Sequence, residues 1–257
     1  MIRFLITLIS LLFLSFSSST VLAQGPNENA NPNANAIPER NGDYPDPEHP
    51  GVRVRVFVHE PKEKPGTSVS AVCEDPDSTA VVGKTGWKLP SINWSYRLNT
   101  SSVPSSVGGS NLSSMASNGF NAWTGSITSS TKPTLTYAGT TTKTRSSYDN
   151  QNIISWGRTS GSALAVTYTR YYTSTGLVVD VDTIMNQKFP WTLNTCSANA
   201  YDAADILNHE LGHWFGLNDH YTSEFVNNTM YGYGSKAETK KITPAQGDKD
   251  GINLIYP

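Results

Sequence analysis

His209, Glu210 and His213 stand in the run His-Glu-Leu-Gly-His. Residues four apart on a helix share a face, so the two imidazoles lie one turn apart and can ligate a single metal ion. Glu210 is displaced about 100° around such a helix. Its carboxylate reaches a water on that ion more readily than the ion itself. A third ligand further along requires the helix to stop. Gly216 supplies the stop, because glycine takes the left-handed conformation without a Cβ penalty. Asp219 and His220 follow as candidate third ligands, and Glu238 is a more distant rival. Three protein ligands and one open position describe a catalytic zinc site, in contrast to a closed structural one. The plain alternative is a helix whose histidines only pack or hydrogen-bond.

Several elements must position this run. From Asp202 to Trp214 the pattern is helical, with Leu207, Leu211 and Trp214 on one face. Thr243-Pro244-Ala245-Gln246 is a helix-start signal leading into Ile252 and Ile255. Leu112, Met115, Phe120 and Trp123 predict a helix over 111–123. Trp87 to Leu98 reads as a strand interrupted by Pro90, and shorter strands are expected around Leu135 and over 153–156. Ala163 to Tyr172 alternates strongly and pairs as a hairpin with Leu177 to Ile184. That pair offers an edge on which an extended peptide can lie as an added strand. Asp180 and Asp182 within it are candidate calcium ligands.

The remainder of the 257 residues sets the context. Charged residues are only 16% of the chain, and Ser, Thr, Asn and Gly abound, as in β-rich extracellular proteins. A net charge of −2 gives no field for nucleic acid or anionic membrane. Arg3, the apolar run Phe4 to Phe16 and Val21-Leu22-Ala23 read as a signal peptide over 1–23, too short for the ~20 residues of a spanning helix. Secretion, with no membrane attachment after cleavage, follows from it. Residues 24–66 read as a pro-segment or flexible spacer, rich in Asn, Pro and Glu, with a strand at Val52 to Val58. The catalytic domain is expected over 67–257. Cys73 and Cys196 are the only cysteines, and a disulfide is the default in an oxidising compartment.

The run from His209 to Asp219 resembles the metzincin signature, and Asp at its last place is similar to snapalysin. Asn228-Thr229-Met230-Tyr231-Gly232 resembles the methionine turn of that group, in its matrixin version. Ile242-Thr243-Pro244, Asp250-Gly251-Ile252 and Ile255-Tyr256-Pro257 are also matrixin-like, as are Trp87 to Leu98 and Asn111 to Trp123. The resemblance implies an α+β metzincin-like catalytic domain: a twisted, mostly parallel sheet with an antiparallel edge strand, an active-site helix and a C-terminal helix. It implies a secreted, monomeric zinc endopeptidase acting on proteins or peptides. One catalytic zinc would sit on His209, His213 and Asp219, with Glu210 as general base and Tyr231 walling the substrate pocket.

The departures are specific. Matrixins carry His where Asp219 stands, and a second zinc on upstream histidines. The only histidines ahead of the motif, His49 and His59, fall outside the expected catalytic domain, so no second zinc is expected. Cys73-Glu74-Asp75-Pro76-Asp77 resembles the end of the matrixin cysteine switch, but Ala71-Val72 replace its Pro-Arg. A Cys73–Cys196 disulfide is therefore preferred to a latent thiolate. A reading from another class is a secreted β-rich binding or adhesion module whose zinc is structural or absent.

Overall fold

The structure, a computed structural model, describes residues 37–62, 73–159 and 161–257. The expected signal peptide, 1–23, lies outside the described residues. The chain forms β1 (Gly42–Pro45), β2 (Val52–Pro61) and β3 (Asn93–Leu98), then α1 (Asn111–Ser126). β4 (Thr134–Thr140), β5 (Asn152–Gly157), β6 (Ala165–Tyr172) and β7 (Val178–Asn186) follow. A small pair, β8 (Trp191–Thr192) and β9 (Tyr201–Asp202), precedes α2 (Ala203–Trp214). β10 (Tyr233–Gly234) and α3 (Gln246–Asn253) complete the described fold.

The main sheet has the order β1-β2-β6-β7-β5-β3-β4, with β10 beside the end of β2. Strands β4, β3, β5 and β7 run parallel, and β6 reverses at their margin. This is the mixed α+β arrangement that the resemblance implied. β5 is buried at all six residues, as a central strand covered on both faces must be. The expected strand from Trp87 begins only at Asn93, because Pro90 cannot donate to a ladder.

Two apolar clusters separate the sheet faces. On one, Phe120 and Trp123 of α1 pack with Leu211 and Trp214 of α2 against Leu98, Ile154 and Trp156. The α1 stripe Leu112, Met115, Ala116, Phe120 and Trp123 is buried as its helical spacing requires. On the other face, Val54, Val56 and Val58 of β2 join Ile153, Val166 and Ile184.

Residues 42–61 lie inside the segment expected to be a pro-segment or spacer, yet they are not set apart from the domain. β2 pairs antiparallel with β6 from Val52 opposite Tyr172 to His59 opposite Ala165. β10 pairs with its far end in parallel, Tyr233 opposite Glu60. The edge of β6 that was expected to take a peptide is thus covered by the chain itself.

Calcium finds no support at Asp180 and Asp182. Both face the Arg170 guanidinium, whose Nη1 lies 2.8 Å from Asp180 Oδ1 and 3.5 Å from Asp182 Oδ2. A buried cation of the chain's own already occupies the space between them. The two cysteines are joined, Cys73 to Cys196, so Cys73 is not available as a latent thiolate. This bond spans a sequence separation of 123 residues. In the chain-entropy view, closing such a loop stabilises the fold by up to about 5 kcal/mol. The double variant Cys73→Ser/Cys196→Ser should therefore lose up to about that much unfolding free energy in urea titrations. An unchanged midpoint would mean that the ends are held by packing alone.

Candidate metal centre

α2 begins where Asp202 caps it, its Oδ1 accepting from the amides of Ala204 (3.0 Å) and Asp205 (3.1 Å). It ends at Trp214, and Gly216 turns the chain with φ +101°. A Cβ at that position would also lie 2.3 Å from the Trp87 carbonyl oxygen, so only glycine fits. The turn returns the chain so that Asp219 faces the histidines. Asp219 Oδ1 lies 3.0 Å from His209 Nε2 and 3.3 Å from His213 Nε2. Tyr221 Oη donates to the other Asp219 oxygen at 3.1 Å.

The imidazoles are aimed by their far nitrogens. His209 Nδ1 contacts the Thr229 carbonyl at 2.6 Å, and His213 Nδ1 the Leu217 carbonyl at 3.0 Å. A carbonyl can only accept, so both protons sit on Nδ1 and both Nε2 lone pairs point at the same spot as Asp219 Oδ1. Both Nε2 atoms and Asp219 Oδ1 are buried without a hydrogen-bond partner. The three ligand atoms lie within 4.8 Å of one another. Two imidazole nitrogens and a carboxylate oxygen are the donor set zinc takes, so the residues fit that ion.

Met230 passes beneath this triad. A Cβ on Gly212 would come within 2.3 Å of its sulfur, so a glycine in the helix lets the turn approach. The turn is fixed from α3: the Asp248 carboxylate accepts from the amides of Thr229 (2.8 Å), Met230 (3.2 Å) and Ala245 (3.0 Å).

The competing third ligands point elsewhere. His220 Nε2 accepts from the Gly83 amide at 2.7 Å, and its ring stacks on Phe225 at 3.9 Å. Glu238 pairs with Lys241 at 3.2 Å and Lys240 at 3.6 Å. Tyr231 is buried, with the ammonium groups of Lys62, Lys240 and Lys241 within 6.0 Å of its ring.

Glu210 is held at both oxygens. Thr167 of β6 donates to Oε2 at 2.5 Å, and His59 of β2 donates to Oε1 at 3.2 Å. Burial pushes the Glu210 carboxyl up to about 7. His59 was not anticipated here. One neutral tautomer satisfies both its contacts, since Nδ1 donates to Glu210 while Nε2 accepts from Lys241 Nζ at 3.3 Å. Burial, with the His209 ring and Lys241 beside it, keeps its pKa well below the usual value. The His59–Glu210 contact is thus a hydrogen bond and not an ion pair. Two residues earlier, Phe57 stacks on His213 with ring centroids 3.7 Å apart and planes 7° apart. The alternation along Val52 to His59 was the one available signal, because it sets Phe57 and His59 on the same face.

A helix offering two imidazoles one turn apart, a carboxylate past its glycine stop and a methionine turn beneath, against this mixed sheet, defines a metzincin-like catalytic domain. Residues 87–257 match the family model for matrixin, a peptidase family, and so the chain belongs to the matrixin family. By family it is a zinc metalloendopeptidase, and its substrates are proteins. No curated protein matches the chain as a relative.

The methionine turn rests on one carboxylate. Asp248→Ala should strip acceptors from three backbone amides, each costing about 1–3 kcal/mol when left unpaired. A loss of at least about 3 kcal/mol in urea unfolding is expected, with Asp248→Asn milder. Equal stability of both variants and the parent would show that the turn is held otherwise.

Proposed function

We propose that the protein is a secreted zinc endopeptidase in which His209, His213 and Asp219 hold the ion and Glu210 is the general base. The observation that carries this is the convergence of two Nε2 lone pairs and one carboxylate oxygen on a common buried point. Bound there, zinc supplies an acidified water and polarises the scissile carbonyl. Glu210 is placed to act as the base that would take a proton from the attacking water and pass it to the leaving amine. Thr167 keeps Oε2 oriented from β6. Tyr231, buried beside Lys240 and Lys241, walls the adjoining substrate pocket.

Secretion is supported by the Cys73–Cys196 disulfide and by the signal-like N-terminal sequence. Among the described residues, no helix is long and apolar enough to cross a membrane. The competing reading, a binding module with a structural zinc, requires a fourth protein ligand. His220 and Glu238, the rival ligands that the sequence offered, are engaged elsewhere.

Because β2 covers the site, hydrolysis is best assayed both before and after limited proteolysis ahead of Cys73. Casein digestion should be abolished by a chelator and restored by zinc. Glu210→Ala should keep about one zinc per chain while activity falls at least about 100-fold. Zinc lost in step with activity would make Glu210 a ligand instead. Asp219→Ala should lose the metal and His220→Ala should keep it, as read by metal analysis of the purified chains. The reverse pattern would transfer the third ligand to His220.

A further inference from the structure

His209 and His213 ride on α2, but Asp219 does not. It lies on an irregular stretch flanked by two single bridges, Leu217 opposite Lys84 and His220 opposite Tyr231. Its stem is also the shortest of the three, so a shift of the main chain passes directly to the oxygen. The imidazoles are aimed by carbonyls, and this carboxylate must be aimed to the same tolerance. Tyr221 reaches its other oxygen, but comes from the same stretch of chain.

Residues 77–85, a strap ahead of the family match at 87, give that stretch its support. The strap is seated on α3. Asp77 Oδ1 accepts from the Gln246 amide at 2.7 Å, the Gly247 amide donates to the Ser78 carbonyl at 2.6 Å, and the Val82 amide donates to the Gly247 carbonyl at 3.1 Å. A Cβ on Gly247 would run into the Ala80 carbonyl, and one on Gly251 into that of Val82, so two glycines one turn apart make the seat. Asn228 ties it to the methionine turn, accepting from Ser78 Oγ (2.7 Å) and donating to the Ala80 carbonyl (2.9 Å). From this seat the strap meets the ligand segment. Thr85 gives both its amide and its hydroxyl to the Gly216 carbonyl, each at 2.9 Å, and the Asn218 amide donates to the Gly83 carbonyl at 3.0 Å. Beyond Asp219, the His220 amide donates to the Met230 carbonyl (3.0 Å) and the Gly232 amide to the His220 carbonyl (2.8 Å).

His220 joins the two sides. Its main chain belongs to the methionine-turn side, while its ring reaches back to the strap, where Nε2 accepts from the Gly83 amide at 2.7 Å. An amide can only donate, so that nitrogen turns its lone pair to Gly83 and not to the metal point. The ring face is held by Phe225, with centroids 3.9 Å apart. We propose that His220 is a positioning residue for the metal centre: by clasping Gly83 it fixes the chain through Asp219 between strap and methionine turn, so that the carboxylate oxygen meets the two Nε2 atoms. This rests on the reading of Asp219 as third ligand. The role needs an acceptor at the tip of the side chain, which glutamine also carries at a similar reach, and phenylalanine lacks.

The test uses the full chain, with zinc affinity read by competition against a chromophoric chelator. His220→Phe keeps a ring for Phe225 but offers Gly83 no acceptor, and should weaken zinc about tenfold. That change still leaves purified chains loaded. His220→Gln should stay within about threefold of the parent. Exchange of the Gly83 amide in the metal-free chain should be slow in the parent and in His220→Gln, and fast in His220→Phe. Thr85→Val keeps the side-chain shape and removes the hydroxyl given to Gly216, and should weaken zinc about threefold; it carries the test if His220→Phe does not fold. Parent-like zinc affinity in His220→Phe, or in Thr85→Val where that variant carries the test, would overturn the proposal, as would a loss in His220→Gln equal to that in His220→Phe. Asp219→Ala is measured beside them. Loss of zinc there with His220→Phe unchanged sinks the positioning role alone, whereas zinc retained in Asp219→Ala defeats the ligand reading on which it rests.

Discussion

Everything at the centre depends on two backbone carbonyls. Those of Thr229 and Leu217 each take the Nδ1 proton of one imidazole. A neutral imidazole that donates at one nitrogen must accept at the other, and so tautomer and ring direction are fixed together. Leu217 can serve only because Gly216 has reversed the chain, and Thr229 only because Asp248 holds the methionine turn by its amides. The sheet and α1 matter to the site mainly through this requirement. They pin α2 along its length, with Gly119 of α1 allowing close approach to Leu211 and Asn208.

Much of this was legible in the residues. The i, i+4 histidines, the intervening glutamate and the glycine stop encode a local geometry, and local geometry survives into the fold. The helices over 111–126 and 203–214 and the hairpin of β6 and β7 were readable for the same reason. The cysteine pair followed from composition and compartment.

What could not be read was the company that distant segments keep. The alternation of Val52 to Val58 announced a strand, but a strand's period says nothing of which edge it will join. His59 was consequently set outside the domain, although it touches the glutamate at the centre. Asp248 carries no signature either, since a carboxylate that collects three backbone amides looks like any other helix-start acid. Asp180 and Asp182 looked like cation ligands because Arg170, which faces them, belongs to the neighbouring strand. In each case a nonlocal partner decided the role.

The short β1 has a consequence for solubility. A bare β6 would offer a long row of unpaired amides and carbonyls, the template on which chains stack edge to edge and aggregate. β2 covers that row, and β1 then forms the outer margin with only four residues, ending at Pro45. Proline lacks the amide that a further strand would need, and Asp43 and Arg53 place charge beside it. While the leading strands remain in place, the newly made chain presents a margin too short and too charged to recruit its neighbours.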